Sequence, residues 1–126
     1  MSVSASAKGV SMSPRKVGVV ASLVRGRSVA DALVILEHTP RRAAGPVVKV
    51  IESARANADH NHDYKPDSLQ ITSITVTPGT PLKRFRPVAR GMAHHYQRRT
   101  SHIFVTVDGD KRAPKKPAVT AKKETK

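Results

Sequence analysis

The 126-residue chain contains no cysteine and no tryptophan, and only two tyrosines and two phenylalanines. Without cysteine, a disulfide scaffold, Cys-ligated zinc and thiol catalysis are all excluded. Acidic residues are scarce as well. Nine Asp and Glu stand against 23 Lys and Arg, for a formal charge of +14 and a pI near 11.0. So one-sided a balance points to a polyanionic partner, with nucleic acid ahead of a membrane surface. No apolar run approaches the about 20 residues that span a bilayer, and the opening MSVSASAKGV lacks the apolar stretch of a signal peptide. The expectation is an intracellular, soluble, strongly basic protein of one domain.

With so few aromatics, burial must rest on Val, Ile, Leu and Ala. The segments 79–99 and 109–126 look unable to join a core, which leaves a small body burying roughly 60–65% of its chain surface. Val3, Ala5 and Ala7 alternate with Ser4, Ser6 and Lys8, predicting a short edge strand. Ser13 as N-cap and Pro14 as first helical residue open a helix with Val17, Val20, Ala21 and Val24 on its apolar face. Gly26 is placed to stop it in a left-handed cap. Ser28 and Asp31 form a capping-box-like start for a second helix through Val29, Ala32, Leu33 and Leu36. Thr39-Pro40 predicts the start of a third, with Ala43, Val47, Val50, Ile51, Ala54 and Ala58 inward and Lys49, Glu52 and Arg55 outward. Gly45-Pro46 should bend that helix or delay its regular part, and the polar run Asn57 to Asp63 should end it.

The second half changes period. Leu69 and Ile71 alternate with polar residues, then Ile74 and Val76 appear in the opposite phase, which predicts a β-bulge near Thr72-Ser73. Ile103, Val105 and Val107 mark another strand. Between the two lie about 25 residues without apolar periodicity, too long for an idle loop in a compact domain. That stretch is functional, disordered, or a two-stranded arm that turns near Pro87 to Gly91. The Lys/Pro/Ala-rich end should be disordered when unbound.

The arm segment holds the strongest chemical signal. From Pro78 to Thr100 it carries Lys83, Arg84, Arg86, Arg90, Arg98 and Arg99 and no acidic residue. His94 and His95 add donors, and Phe85 and Tyr96 offer flat faces for base stacking. A merely solvated loop is the bland alternative, and the missing acids, the length and the Gly/Pro framing weigh against it. His60, His62 and Asp63 draw the eye to metal, but ligands two apart cannot share a helix face and no second cluster matches, so no metal site is expected. The carboxylates are scattered, no serine sits in a nucleophile elbow and no Gly-rich phosphate loop is present, so neither an enzyme nor a cofactor is expected. Helices one and two, joined across Arg25-Gly26-Arg27, could mimic a helix-turn-helix, but the second exposes Asp31 and Glu37 and would make a poor recognition helix.

At this point the sequence resembles a known family, the bacterial large-subunit ribosomal protein L twenty-two family, over roughly Ser11 to Gly109. SPRKV at 13–17, LVRGRSVADAL at 23–33, ESARANADHN at 52–61, KRFRPVARGMA at 83–93 and RRTSHI at 98–103 carry the resemblance. It implies an α+β fold: three helices packed on a small three-stranded antiparallel sheet, with a long protruding β-hairpin and a disordered basic C-terminal tail. On this basis residues 1–110 form one domain, with the hairpin over about 75–105 and its tip over about 83–93, and 111–126 form the tail.

Carried over to this sequence, Lys83, Arg84, Pro87, Ala89, Arg90, Gly91 and Ala93 match the tip pattern. Arg98, Arg99, Thr100, Ser101 and His102 match the returning strand, and Arg15 and Lys16 match first-helix RNA contacts. Arg25 and Arg27, with Phe85, Arg86, His94, His95 and Tyr96 from the arm, complete the expected RNA-binding set. Val88 and Met92 belong to the tip but depart from the family, which often carries basic residues there. The tail after Asp110 is a second departure. The resemblance implies a cytoplasmic, non-enzymatic constituent of the large ribosomal subunit that contacts several rRNA domains and aids assembly. Its hairpin would reach the wall of the nascent-peptide tunnel. Neighbouring ribosomal proteins and the nascent peptide are the other implied partners, with no membrane and no homo-oligomer. The alternative from another class is a nonspecific nucleic-acid-compacting protein.

Overall fold

In the computed structural model, which describes residues 2–112, strand β1 (Val3–Val10) leads into helices α1 (Pro14–Val24), α2 (Val29–Glu37) and α3 (Ala44–His62). Strands β2 (Gln70–Pro78), β3 (Leu82–Pro87), β4 (Ala93–Arg98) and β5 (Ser101–Asp108) follow. β5 returns to the centre of an antiparallel sheet ordered β1-β5-β2, while β3 and β4 pair with each other as a separate ribbon. The α+β architecture inferred from the sequence is present.

Local chemistry explains most of these elements. Pro14 sits at the first position of α1, where its missing N–H costs nothing, and Gly26 (φ +74°) ends the turn that follows the helix. The Ser28 hydroxyl accepts from the Asp31 amide at 3.1 Å, an N-cap bond for α2. α3, however, does not begin at Thr39-Pro40. Thr39 instead closes α2, its Oγ1 donating to the Ile35 carbonyl at 2.6 Å. A start at Pro40 would set Pro46 in a helix interior, against the carbonyl of Arg42; a start at Ala44 sets it in the first turn, where no N–H is needed. α3 does end within the polar run Asn57 to Asp63, at its far end. The helix continues to His62 because Ala58 is buried beneath it, and Asp63 (φ 52°) closes it as the Tyr64 amide donates back to Ala58.

One sheet face is dry. Val3, Ala5, Ile71, Ile74, Ile103, Val105 and Val107 pack there against Val17, Val20, Val47 and Ile51 of the helices. Ile71 and Ile74 both point inward across an odd spacing because the β2–β5 register slips between Ile71 and Ser73, the bulge anticipated from the phase change. A second irregularity lies in β1 between Ala7 and Val10, where Gly9 (φ +71°) adopts a conformation other residues avoid. Tyr64 joins this core at 1% exposure.

The end of the body is tied down. The Lys65 amide donates to Asp110, the Arg112 amide donates to Asp63, and Arg112 pairs with Asp59 at 2.9 Å. Lys111 lies over the Tyr64 ring. Composition alone assigned Lys111 and Arg112 to the tail, but these contacts hold both on the body. The tail expectation from residue 113 onward lies outside the described residues.

Candidate nucleic-acid interface

The arm is built in two paired segments rather than as one continuous hairpin. β2 and β5 pair out to Pro78 opposite Ser101, and β3 and β4 pair from Leu82–Arg98 to Pro87–Ala93. Between them the outgoing chain has one more residue than the returning chain, and Pro78 and Pro81 remove two ladder donors there. The joint is held by Gly79 N–H to the Thr100 carbonyl at 2.9 Å and by Thr100 Oγ1 to the Thr80 carbonyl at 2.9 Å. A Cβ at Gly79 would sit 2.5 Å from Thr100 Oγ1, so any other residue would have to displace the hydroxyl that holds the joint. About ten residues from Gly79 to Val88 carry the arm roughly 33 Å outward.

Strand alternation gives the ribbon two chemically different faces. Leu82, Arg84 and Arg86 share one with His94, Tyr96 and Arg98, and Lys83 and Phe85 share the other with His95 and Gln97. On the first face the Arg86 guanidinium stacks over the Tyr96 ring at 4.9 Å. On the second, Phe85 and His95 meet edge to face with centroids 6.5 Å apart. Every residue of β3 and β4 is exposed, including Phe85 at 69%. One face thus sets arginine forks for phosphate beside the Tyr96 and His94 rings, and the other sets the Phe85 and His95 rings beside Lys83.

The tip is a short turn over Ala89–Gly91, with the Val88 amide donating to the Met92 carbonyl at 2.8 Å. Arg90 (φ 61°) and Gly91 (φ 68°) are both left-handed, and Met92 is 67% exposed. Pro87, Val88, Ala89, Arg90, Gly91 and Met92 are gathered at the far end, whereas Lys83 and Arg84, also expected at the tip, pair with Gln97 and Tyr96 nearer the joint.

The other expected contacts divide. Arg15 and Lys16 are exposed in the first turn of α1, which has no acidic residue to complement the positive helix end. Two cations there oppose the helix dipole, an arrangement that an incoming anion would relieve. Arg25 and Arg27 have internal partners: Arg25 donates to the Ile74 carbonyl at 3.1 Å, and Arg27 to the Leu23 carbonyl at 2.9 Å. Ser101 corrects the expectation outright. It is fully buried where β5 enters the sheet, so its side chain is not available to RNA. Thr100 serves the joint, and His102 Nδ1 accepts from the Gly9 amide at 2.9 Å, so both are partly engaged inside the fold. A helix starting at Thr39-Pro40 would place Arg41 and Arg42 in its first turn, but α3 begins only at Ala44. Both are exposed in the α2–α3 loop and face the base of the arm. Among the described residues, no group of three or more His, Asp or Glu is placed to hold a metal, and no helix is long and apolar enough to cross a membrane.

Fold and site together define a class: a small, basic α+β body that carries an extended, cation-rich ribbon. Residues 5–108 match the family model described as ribosomal protein L22p/L17e, and the chain belongs to that family. It is similar to the large ribosomal subunit protein uL22 of Lactobacillus helveticus, 50% identical over 106 residues that cover 84% of this chain and 91% of the relative. It is 51% identical over the same span to that of Latilactobacillus sakei. The corresponding Clostridioides difficile protein is 49% identical over 107 residues, covering 85% of this chain and 96% of the relative.

Proposed function

We propose that this protein is a structural constituent of the large ribosomal subunit, bound to large-subunit rRNA and to neighbouring ribosomal proteins in the cytoplasm. Its body would lie on the subunit surface, and its arm would run between rRNA segments to the wall of the nascent-peptide tunnel, aiding assembly by holding those segments together. No catalytic step belongs to this role. The observation that carries the reading is the two-faced ribbon, fully exposed and free of acidic residues, in a chain whose relatives are large-subunit proteins. The ribbon sets guanidinium groups beside Tyr96 on one face and the Phe85 and His95 rings beside Lys83 on the other. It suits a wall of phosphates and unpaired bases. A nonspecific compacting protein would need only charge, and would bind duplex DNA and rRNA alike.

Sedimentation of cell lysate through a high-salt gradient tests this. Retention with the large subunit is expected. Release into the free fraction as salt rises would replace integral with peripheral electrostatic binding.

A further inference from the structure

Arm and body face each other across a cleft of about 830 Å³. The body wall carries Lys16 from α1 and Arg41 and Arg42 from the α2–α3 loop; the arm wall carries Arg86, Arg98 and the adjoining Arg99. No acidic side chain lines it. None of the six cations forms an ion pair among the described residues, where the single pair is Arg112–Asp59. Like charges set on facing walls repel, and a protein working in isolation gains nothing from the arrangement. A polyanion between the walls turns that repulsion into attraction from both sides.

The lining also says which polyanion. The Tyr96 ring, 37% exposed, faces the cleft with Arg86 stacked on it, a surface for an unstacked base that a duplex could not present. Ser11, Ser13 and Gln97 add neutral hydrogen-bonding groups of the kind that meet ribose hydroxyls. We infer that the cleft holds one single-stranded RNA segment, its phosphates shared between the body and arm walls, and that this shared strand sets the angle at which the arm leaves the body. The inference rests on the rRNA-binding reading and adds to it a site that joins two parts of the molecule. The joint at Gly79 and Thr100 is narrow, and β3 and β4 pair only with each other, so a strand bridging both walls is an effective brace.

Because the chain has no cysteine, single cysteines can carry an iron chelate that cuts nearby RNA. Ser11→Cys reports from the body wall, Gln97→Cys from the arm wall and Met92→Cys from the tip, each in full-length protein reconstituted with large-subunit rRNA. The Ser11 and Gln97 probes are expected to cut the same short stretch, and the Met92 probe a different one. Arg41→Gln combined with Arg42→Gln should weaken both cleft patterns several-fold, leave the tip pattern in place and reduce the salt slope of binding by about 1.4, at roughly 0.7 per single-strand phosphate lost. Lysine at both positions should restore much of the cutting, which separates charge from folding. Cleft probes that cut unrelated stretches, or a double variant that changes nothing, would overturn the cleft while tip cutting keeps the rRNA reading intact. Loss of cutting from all three positions in the unaltered background would remove both.

Discussion

Arg90 occupies a backbone conformation that costs an L-residue roughly 1–2 kcal/mol and that glycine would adopt freely. A turn selected for stability alone would carry Gly at that position, as it does at Gly91. On the proposed function, the arginine holds a guanidinium at the tip for RNA at that backbone cost. Arg90→Gly should therefore slow amide exchange at the free tip while weakening binding to large-subunit rRNA, two effects of opposite sign measurable on the same protein. Gly79 is the reverse case, a position where any side chain meets Thr100 Oγ1. Gly79→Ala should leave the thermal stability of the body almost unchanged but disturb the joint. NMR shifts should change at Thr80 and Thr100 and reach into β3 and β4. Within the body, Ser28→Ala removes the α2 cap and should cost about 1 kcal/mol in urea unfolding.

At the scale of elements, the caps and periods were legible because they are local. Pro14, Ser28 and Gly26 announce α1 and α2 within a few residues, and the phase change from Ile71 to Ile74 announces the bulge. The start of α3 was misread because Thr39-Pro40 satisfies the same local rule; Pro46 then decided the matter from six residues further on. The bulge at Gly9 and the burial of Ser101 were not legible, since each depends on a partner brought from the far end of the chain. The same holds for Lys111 and Arg112, whose neighbours Tyr64 and Asp59 are assembled only by folding. Arm composition was legible, but its division at the joint and the facing of Arg41 and Arg42 across the cleft were tertiary facts. An isolated two-stranded ribbon is marginally stable in water. β3 and β4 have no buried residue to support their six paired positions.

For the whole molecule, a charge of +14 is mostly unopposed, with one ion pair among the described residues. Binding to rRNA should fall steeply with salt, and Arg84→Gln with Arg86→Gln should flatten the slope by about 1.4–1.8 if each meets one phosphate. Preference for large-subunit rRNA over duplex DNA should persist as salt rises, because stacking on Phe85 and Tyr96 is less screened than charge. On the proposed function, the arm is completed by its RNA. Amide exchange compared between the free protein and the assembled large subunit tests it most directly. Rapid exchange is expected across β3, the tip and β4 in the free protein, slow exchange in β1, β2 and β5, and strong protection of the whole arm after assembly. Equal protection of the arm in both states, or an arm still exchanging freely in the subunit, would contradict it.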